Sequence, residues 1–295
     1  MTASVGWPEG LALLSSISYS ATLVCLRRGM RSGTPLAALL MVCAANALTG
    51  LALGWLQGDF ARVRPEAMLL FCLSGFFSNG TGNLFQFIGI QRLGVSRASP
   101  IASITPVWAV GFAVLFLGEA AGAAVWAGAF LIVAGVFQLS EGGKGAERFR
   151  WLLQGAVLFP LIASFVYAVS PIFVKTAFAL QPTPMLGMAV AFATGGVSLL
   201  LARPLLPEGG AIRADREALG WFAAATLANA AASVTIWTAI LGGNISVVVP
   251  LSRVVPLWVM LWSWLFLGQL ERITKRAVLA AAMIVAGGVT ITALR

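Results

Sequence analysis

An arginine inside an otherwise uncharged apolar run is the first residue here that invites chemistry. Arg253 lies between Pro250 and Pro256. A guanidinium at membrane depth is costly unless it faces a cavity or a partner, and no carboxylate sits in the middle of an apolar run to pair with it. Two readings stay open. Its forked donors would hold a carboxylate or phosphate of a solute, or they would bond carbonyls freed by the two prolines. A second feature is a polar stripe. Asn79, Asn83 and Gln86 recur at i, i+4 and i+7, and Asn229, Ser233 and Trp237 follow Thr226 in the same way. Such spacing presents one helix face. It walls a cavity that hydrogen-bonds solute, or it glues helices together. Tyr19 and Tyr167 are the two tyrosines, and both lie well inside apolar runs rather than at the interfaces where Tyr usually sits. They are candidate cavity hydroxyls, while Trp108 and Trp258 are expected to pack. Pro100, Pro106, Pro250 and Pro256 bend their helices and are candidates for gating.

None of these groups forms a nucleophile and base pair. Histidine is absent, and Cys25, Cys43 and Cys72 have no metal-like spacing. No catalytic residue, metal or cofactor is expected, and an enzyme acting on lipid is disfavoured.

The elements that must position these side chains follow from composition. The chain has 295 residues, 59% apolar and 10% charged, against about 25% charged for a soluble domain. Uncharged runs of 17 to 35 residues separate the charges. A helix needs about 20 apolar residues to span the hydrocarbon. The runs do not alternate as barrel strands would. We read ten spans, roughly 10–26, 35–57, 67–91, 96–117, 120–139, 151–174, 184–202, 218–241, 245–268 and 277–294, so the fold class is an all-α integral membrane protein. Leu241-Gly242-Gly243-Asn244 divides the longest run. The net charge of +9 is spread in short basic groups between spans, which argues for topology signals and against nucleic acid. With the N-terminus outside, 14 of the 19 Lys and Arg fall on the cytoplasmic side, so both termini are expected on the non-cytoplasmic side. No Lys or Arg precedes the first run, so a cleaved signal peptide is not expected.

The chain also repeats itself. Pro100, Pro106, Trp108 and Phe116-Leu117-Gly118 match Pro250, Pro256, Trp258 and Phe266-Leu267-Gly268 at an offset of 150, as Asn79 matches Asn229. Near 148, Ser16, Tyr19 and Arg27 match Ser164, Tyr167 and Lys175. Residues 1–142 and 143–295 would each hold five spans. Five is odd, so the second repeat enters the membrane inverted. Inverted repeats suit alternating access to a site at mid-membrane.

Gln86-Phe87-Ile88-Gly89-Ile90, Ser96-Arg97-Ala98-Ser99-Pro100, Thr105-Pro106-Val107-Trp108, Leu115-Phe116-Leu117-Gly118-Glu119, Trp126-Ala127-Gly128 and Ala134-Gly135-Val136 carry a resemblance. Leu265-Phe266-Leu267-Gly268-Gln269 and Ala286-Gly287-Gly288 repeat it more loosely. On these residues the chain resembles the EamA-type branch of the drug/metabolite transporter superfamily over essentially its whole length. The resemblance implies ten helices, a central cavity lined by helices 1, 3, 4, 6, 8 and 9, and alternating access. Similar proteins export amino acids, nucleosides, other metabolites or drugs, and relatives exchange phosphorylated sugars or nucleotide sugars. Gln269 stands where the first half has Glu119. The expectation is a secondary transporter of small polar or amphipathic metabolites in a bacterial inner membrane, with amino-acid-like solutes and export favoured. Its partners are a small-molecule solute and the bilayer, and a monomer suffices. An exchanger of phosphorylated compounds, or a structural or lipid-scrambling protein, is the alternative. With no acid in mid-span, facilitated diffusion or exchange is favoured over proton coupling.

Overall fold

The computed structural model describes residues 6–61, 63–105, 107–108, 122–139, 155–205, 210–243, 248, 252, 254–266 and 274–293. Among these residues the secondary structure is entirely helical. That is what a bilayer demands, because helices satisfy their own amides where water cannot. Among the described residues, five helices are long and apolar enough to cross a membrane: Trp7–Gly29, Pro35–Gln57, Gly155–Leu180, Pro184–Ala202 and Arg216–Gly242. Large apolar side chains such as Trp55, Leu56, Phe130, Leu201 and Leu227 point outward, and lipid is the solvent for which that is favourable.

In chain order the helices are α1 (Trp7–Gly29), α2 (Pro35–Gln57), α3 (Pro65–Ser74), a π-helical segment (Gly75–Gly82), α4 (Asn83–Leu93), α5 (Val95–Ala102), α6 (Ala123–Leu139), α7 (Leu158–Leu180), α8 (Pro184–Ala202), α9 (Arg216–Gly242), α10 (Val255–Phe266) and α11 (Lys275–Ala293). Local chemistry sets several ends. Proline opens α2, α3 and α8 at a position where the missing N–H costs nothing. Thr34 caps α2 and Asp215 caps α9 through side-chain oxygens. Gly58, in the left-handed conformation with φ 75°, closes α2.

The sequence pattern places a span over 67–91. The chain does run as one rod from Pro65 to Leu93, but its middle is π-helical. The span expected at 151–174 is shifted, since α7 continues to Leu180. Lys175 does not end the helix because its ammonium donates to the carbonyls of Ile240 (3.1 Å) and Gly243 (3.2 Å), which satisfies the charge in place. Residues beyond Ala102 in the expected span 96–117, and the polar linker 141–150, lie largely or wholly outside the described residues.

Helix α1 lies along α9 and α10, while α3 and α4 lie along α7. Helix α2 packs on α8 and α9, α8 packs on the π segment, and α6 pairs with α11. A large apolar cluster joins α1–α4 to α7–α9, and a smaller one around Ile101, Ile132, Met260 and Ile284 joins α5, α6, α10 and α11. Trp108 and Trp258 do more than pack. Their indole N–H groups donate to Ser164 (2.7 Å) and Ser16 (3.1 Å).

Candidate functional site

The rod from α3 to α4 owes its π turns to Ser74-Gly75-Phe76-Phe77-Ser78-Asn79-Gly80-Thr81-Gly82-Asn83. Three glycines in eight residues remove much of the preference for regular α-helix. The i→i+5 pattern widens each turn and is common at functional sites. Close approach needs the glycines as well. A Cβ on Gly75 would run into the backbone of Ala191 on α8, and one on Gly82 would lie 2.7 Å from the Tyr167 ring.

The widened turns bring Ser74, Ser78, Asn79 and Asn83 onto one wall of a cavity of about 180 Å³. Facing them, α7 contributes Tyr167, Ser170 and Val174, and α9 contributes Asn229, Ser233 and Trp237. Ser15 and Tyr19 of α1, with Ser252 and Val255, complete the wall. The described lining is hydroxyl, amide and apolar, and holds no charged side chain. The volume is below the roughly 300–1,000 Å³ of drug-sized pockets, so it suits a small metabolite.

Hydrogen bonds fix much of this wall. The Tyr167 hydroxyl donates to Asn83 Oδ1 at 2.6 Å. Ser74 and Ser170 share a hydrogen bond of 2.9 Å between α3 and α7. Ser15 Oγ donates to the Ala232 carbonyl at 2.9 Å, joining α1 to α9. Asn46 of α2 donates to Asn229 Oδ1 at 3.0 Å, and Ser233 donates to the same oxygen at 3.3 Å. Beside the cavity Phe71, Phe178 and Trp237 form a cluster with ring centroids 5.8 to 5.9 Å apart. The last turns of α7 and α3 supply its two phenylalanines.

Seven residues of the sequence pattern meet at this cavity: Tyr19, Asn79, Asn83, Tyr167, Asn229, Ser233 and Trp237. Gln86 does not. It is buried away from the wall, with its Oε1 unpartnered among the described residues. The i, i+4, i+7 stripe assumes regular α-helical turns, and the π segment breaks that register ahead of Gln86. Thr226 is likewise buried off the cavity. Pro100 lies inside α5 and Pro256 in the first turn of α10, both buried. Arg253, Pro106, Pro250 and Glu119 lie outside the described residues.

The pattern missed Asn46, Ser74, Ser78, Ser170 and Ser252. Asn46 had a usable signal, as the one side-chain amide in the apolar body of α2 ahead of the terminal Gln57. No metal-holding group of His, Cys, Asp or Glu occurs among the described residues.

Comparison with known proteins adds three findings. The model of the EamA-like transporter family matches residues 6–140 and again residues 154–293. A solved crystal structure superposes with a TM-score of 0.65 at 20% identity, covering 97% of this chain and 96% of the other, a likeness of fold alone. Among curated proteins no match is found.

Proposed function

The chain belongs to the EamA-like transporter family, and from that premise we propose that the cavity between α1, the π segment, α7 and α9 is the solute site of a secondary transporter. The observation that carries this reading is the composition of the wall: amides and hydroxyls gathered at mid-helix in a protein whose outer surface is apolar. Polar side chains at membrane depth are costly and usually functional. The solutes are small polar or amphipathic metabolites, with amino-acid-like compounds favoured, moved in the export direction. Tyr19, Asn79, Asn83, Tyr167, Asn229, Ser233 and Trp237 contact the solute, and Arg253 holds its anionic end. The protein sits in a bacterial inner membrane with both termini on the non-cytoplasmic side, can work as a monomer, and is not an enzyme.

The mechanism is alternating access by ten helices arranged as two inverted repeats, 1–142 and 143–295, with kinks at Pro100, Pro106, Pro250 and Pro256 as gates. Several contacts support a pseudo-two-fold exchange. Trp108 bonds Ser164 as Trp258 bonds Ser16. Arg27 caps the carbonyls of Ile90 and Gln91 as Lys175 caps those of Ile240 and Gly243. Gly135 approaches Ala280 and Ile284, while Gly287 approaches Gly128 and Ile132. Each pair maps onto the other at offsets near 150.

The test is liposome uptake of amino acids, phosphate esters and uncharged solutes by the wild type and by Asn83→Leu. Amino-acid uptake that falls about tenfold or more in the variant is the expected result, the size of one or two lost hydrogen bonds to a charged group. If no water-soluble solute enters, the transport reading is sunk and a scrambling or structural role stands. A second reading, exchange of phosphorylated compounds, is favoured by Arg253 following the cavity residue Ser252 in sequence. Phosphate-ester uptake abolished by Arg253→Ala would establish it instead.

A further inference from the structure

Asn46 does not line the cavity and has no exposed surface, yet its amide determines what the cavity presents. Its Nδ2 donates to the carbonyl of Val42 at 2.8 Å and to Asn229 at 3.0 Å. A backbone carbonyl can only accept, so the Asn46 nitrogen must point that way. The second hydrogen on that nitrogen then needs an acceptor, and the Asn229 atom facing it must be the oxygen. This network assigns the orientation of Asn229. Ser233 adds a second donor to the same oxygen. What Asn229 has left is its Nδ2, which finds no partner among the described residues, and Asn229 lines the cavity.

The Tyr167 hydroxyl donates to Asn83 Oδ1, but a hydroxyl accepts as readily as it donates, so the lock is specific to Asn229. The arrangement has a cost. Asn46 Oδ1 is buried with no partner among the described residues, and an orphaned carbonyl of this kind calls for an explanation.

We infer that Asn46 is a positioning residue that sets the polarity of the cavity. By locking Asn229 with its amide N–H groups toward the solute, it selects solutes that present an acceptor oxygen, such as a carboxylate, over isosteres that present a donor. The inference rests on the reading of the cavity as a solute site. It differs from a role in packing, because it predicts a change of selectivity rather than of stability.

Asn46→Asp reverses the lock. A carboxyl at a fully buried site is held neutral. Its O–H takes the place of Asn46 Nδ2 and donates its one hydrogen to the Val42 carbonyl, so that the same hydroxyl oxygen can only accept from Asn229 Nδ2, which turns Asn229 Oδ1 toward the solute. Asn46→Leu removes the lock and lets Asn229 rotate. The experiment is initial uptake of L-alanine and L-alaninamide by liposomes holding the full-length wild type, N46D or N46L. In the wild type, alanine is favoured. In N46D the alanine-to-alaninamide ratio falls about tenfold or more, and in N46L it falls by less. Either variant suffices if the other does not fold. An unchanged ratio, or a wild type that prefers alaninamide, overturns the inference and leaves transport standing. Failure of the wild type to take up either solute overturns both this inference and the amino-acid-like reading of the site.

Discussion

Two walls of the cavity correspond in sequence at an offset of 150, as Asn79 and Asn229 do, and are built differently. The first, α3 to α4, is π-helical from Gly75 to Gly82, whereas its mate α9 is unbroken α-helix from Arg216 to Gly242. Gly75, Ser78, Gly80 and Gly82 of the first wall correspond to Ala225, Ala228, Ala230 and Ala232 of the second. Glycine is about 1 kcal/mol poorer than alanine in a helix, so one wall is intrinsically soft and the other stiff. Their asparagines differ in the same sense. Asn229 is tied by Asn46 and Ser233, while the side chain of Asn79 has no partner among the described residues. The residue matching Asn46 near offset 149 is Gly195, which leaves room only for close contact with Asn79. Two walls that correspond in sequence thus differ in build, one rich in glycine and the other in alanine.

The largest expected effect comes from filling the soft wall. Gly75→Ala puts a methyl group into the Ala191 backbone of α8, and overpacking of this kind costs about 1–3 kcal/mol or more. Ala225→Gly, at the matching place on the stiff wall, should cost only about 1 kcal/mol through propensity. Unfolding in detergent by denaturant titration measures both. Equal costs would mean that the two walls are not mechanically distinct.

Next in size is the pair of asparagines. Asn229→Ala leaves Asn46 Nδ2 short of an acceptor in the interior, and should lower stability by about 1 kcal/mol as well as slowing uptake. Asn79→Ala removes no side-chain hydrogen bond to the described residues and should slow uptake with stability changed by less than about 0.5 kcal/mol. Parallel unfolding and uptake assays separate the two. A loss of stability in Asn79→Ala equal to that in Asn229→Ala would remove the distinction between a tied and a free amide.

Five membrane-crossing helices among the described residues, and much of the cavity lining, were legible because charge spacing and helical period are one-dimensional signals. Asn83 and Trp237, singled out by helical spacing, and Tyr19, singled out by its depth in an apolar run, all line the cavity. The π segment was not legible, because its glycines are equally consistent with close helix contact. Gln86 fell off the wall for the same reason, as a period of 3.6 misplaces whatever follows a widened turn. Asn46 was missed because a stripe needs several members and a tie needs only one. Its meaning depends on Val42 and Asn229 being near at once, and a tertiary contact of that kind leaves no period in the chain. For Arg253, which lies outside the described residues, the sequence reading stands alone.

At their C-terminal ends the walls should respond alike. Arg27 bonds the last carbonyls of α4, and Lys175 those of α9. A cation on a helix C-terminus contributes about 0.3–1 kcal/mol, so Arg27→Met and Lys175→Met should each lower unfolding free energy by a similar amount of that order. A strongly unequal pair would show that the repeat does not preserve this cap.

The N-terminal ends differ again, and there the smallest effect is expected. Helix α3 starts on Pro65 with no side-chain cap, whereas α9 starts on Asp215. The Asp215 carboxylate accepts from the Ala218 N–H at 2.7 Å and from Ser32 at 2.8 Å. These bonds, the Ala218 amide foremost, hold its pKa below the ordinary carboxylate value. A lowered folded-state pKa means that the stabilisation is fully present above the unfolded pKa. It is lost as pH falls through the folded pKa. Asp215 is solvent-exposed, so the effect is modest and screened by salt. Asn at this position keeps the cap without the charge. Thermal unfolding between about pH 6 and pH 3 should therefore fall more steeply for the wild type than for Asp215→Asn. Amide exchange, corrected for its own pH dependence, should show the added acid opening at the first turn of α9 and not at that of α3. Identical acid slopes for the two proteins would mean that the first turn of α9 is held by its packing, as that of α3 must be, and the walls would then differ only in their middles.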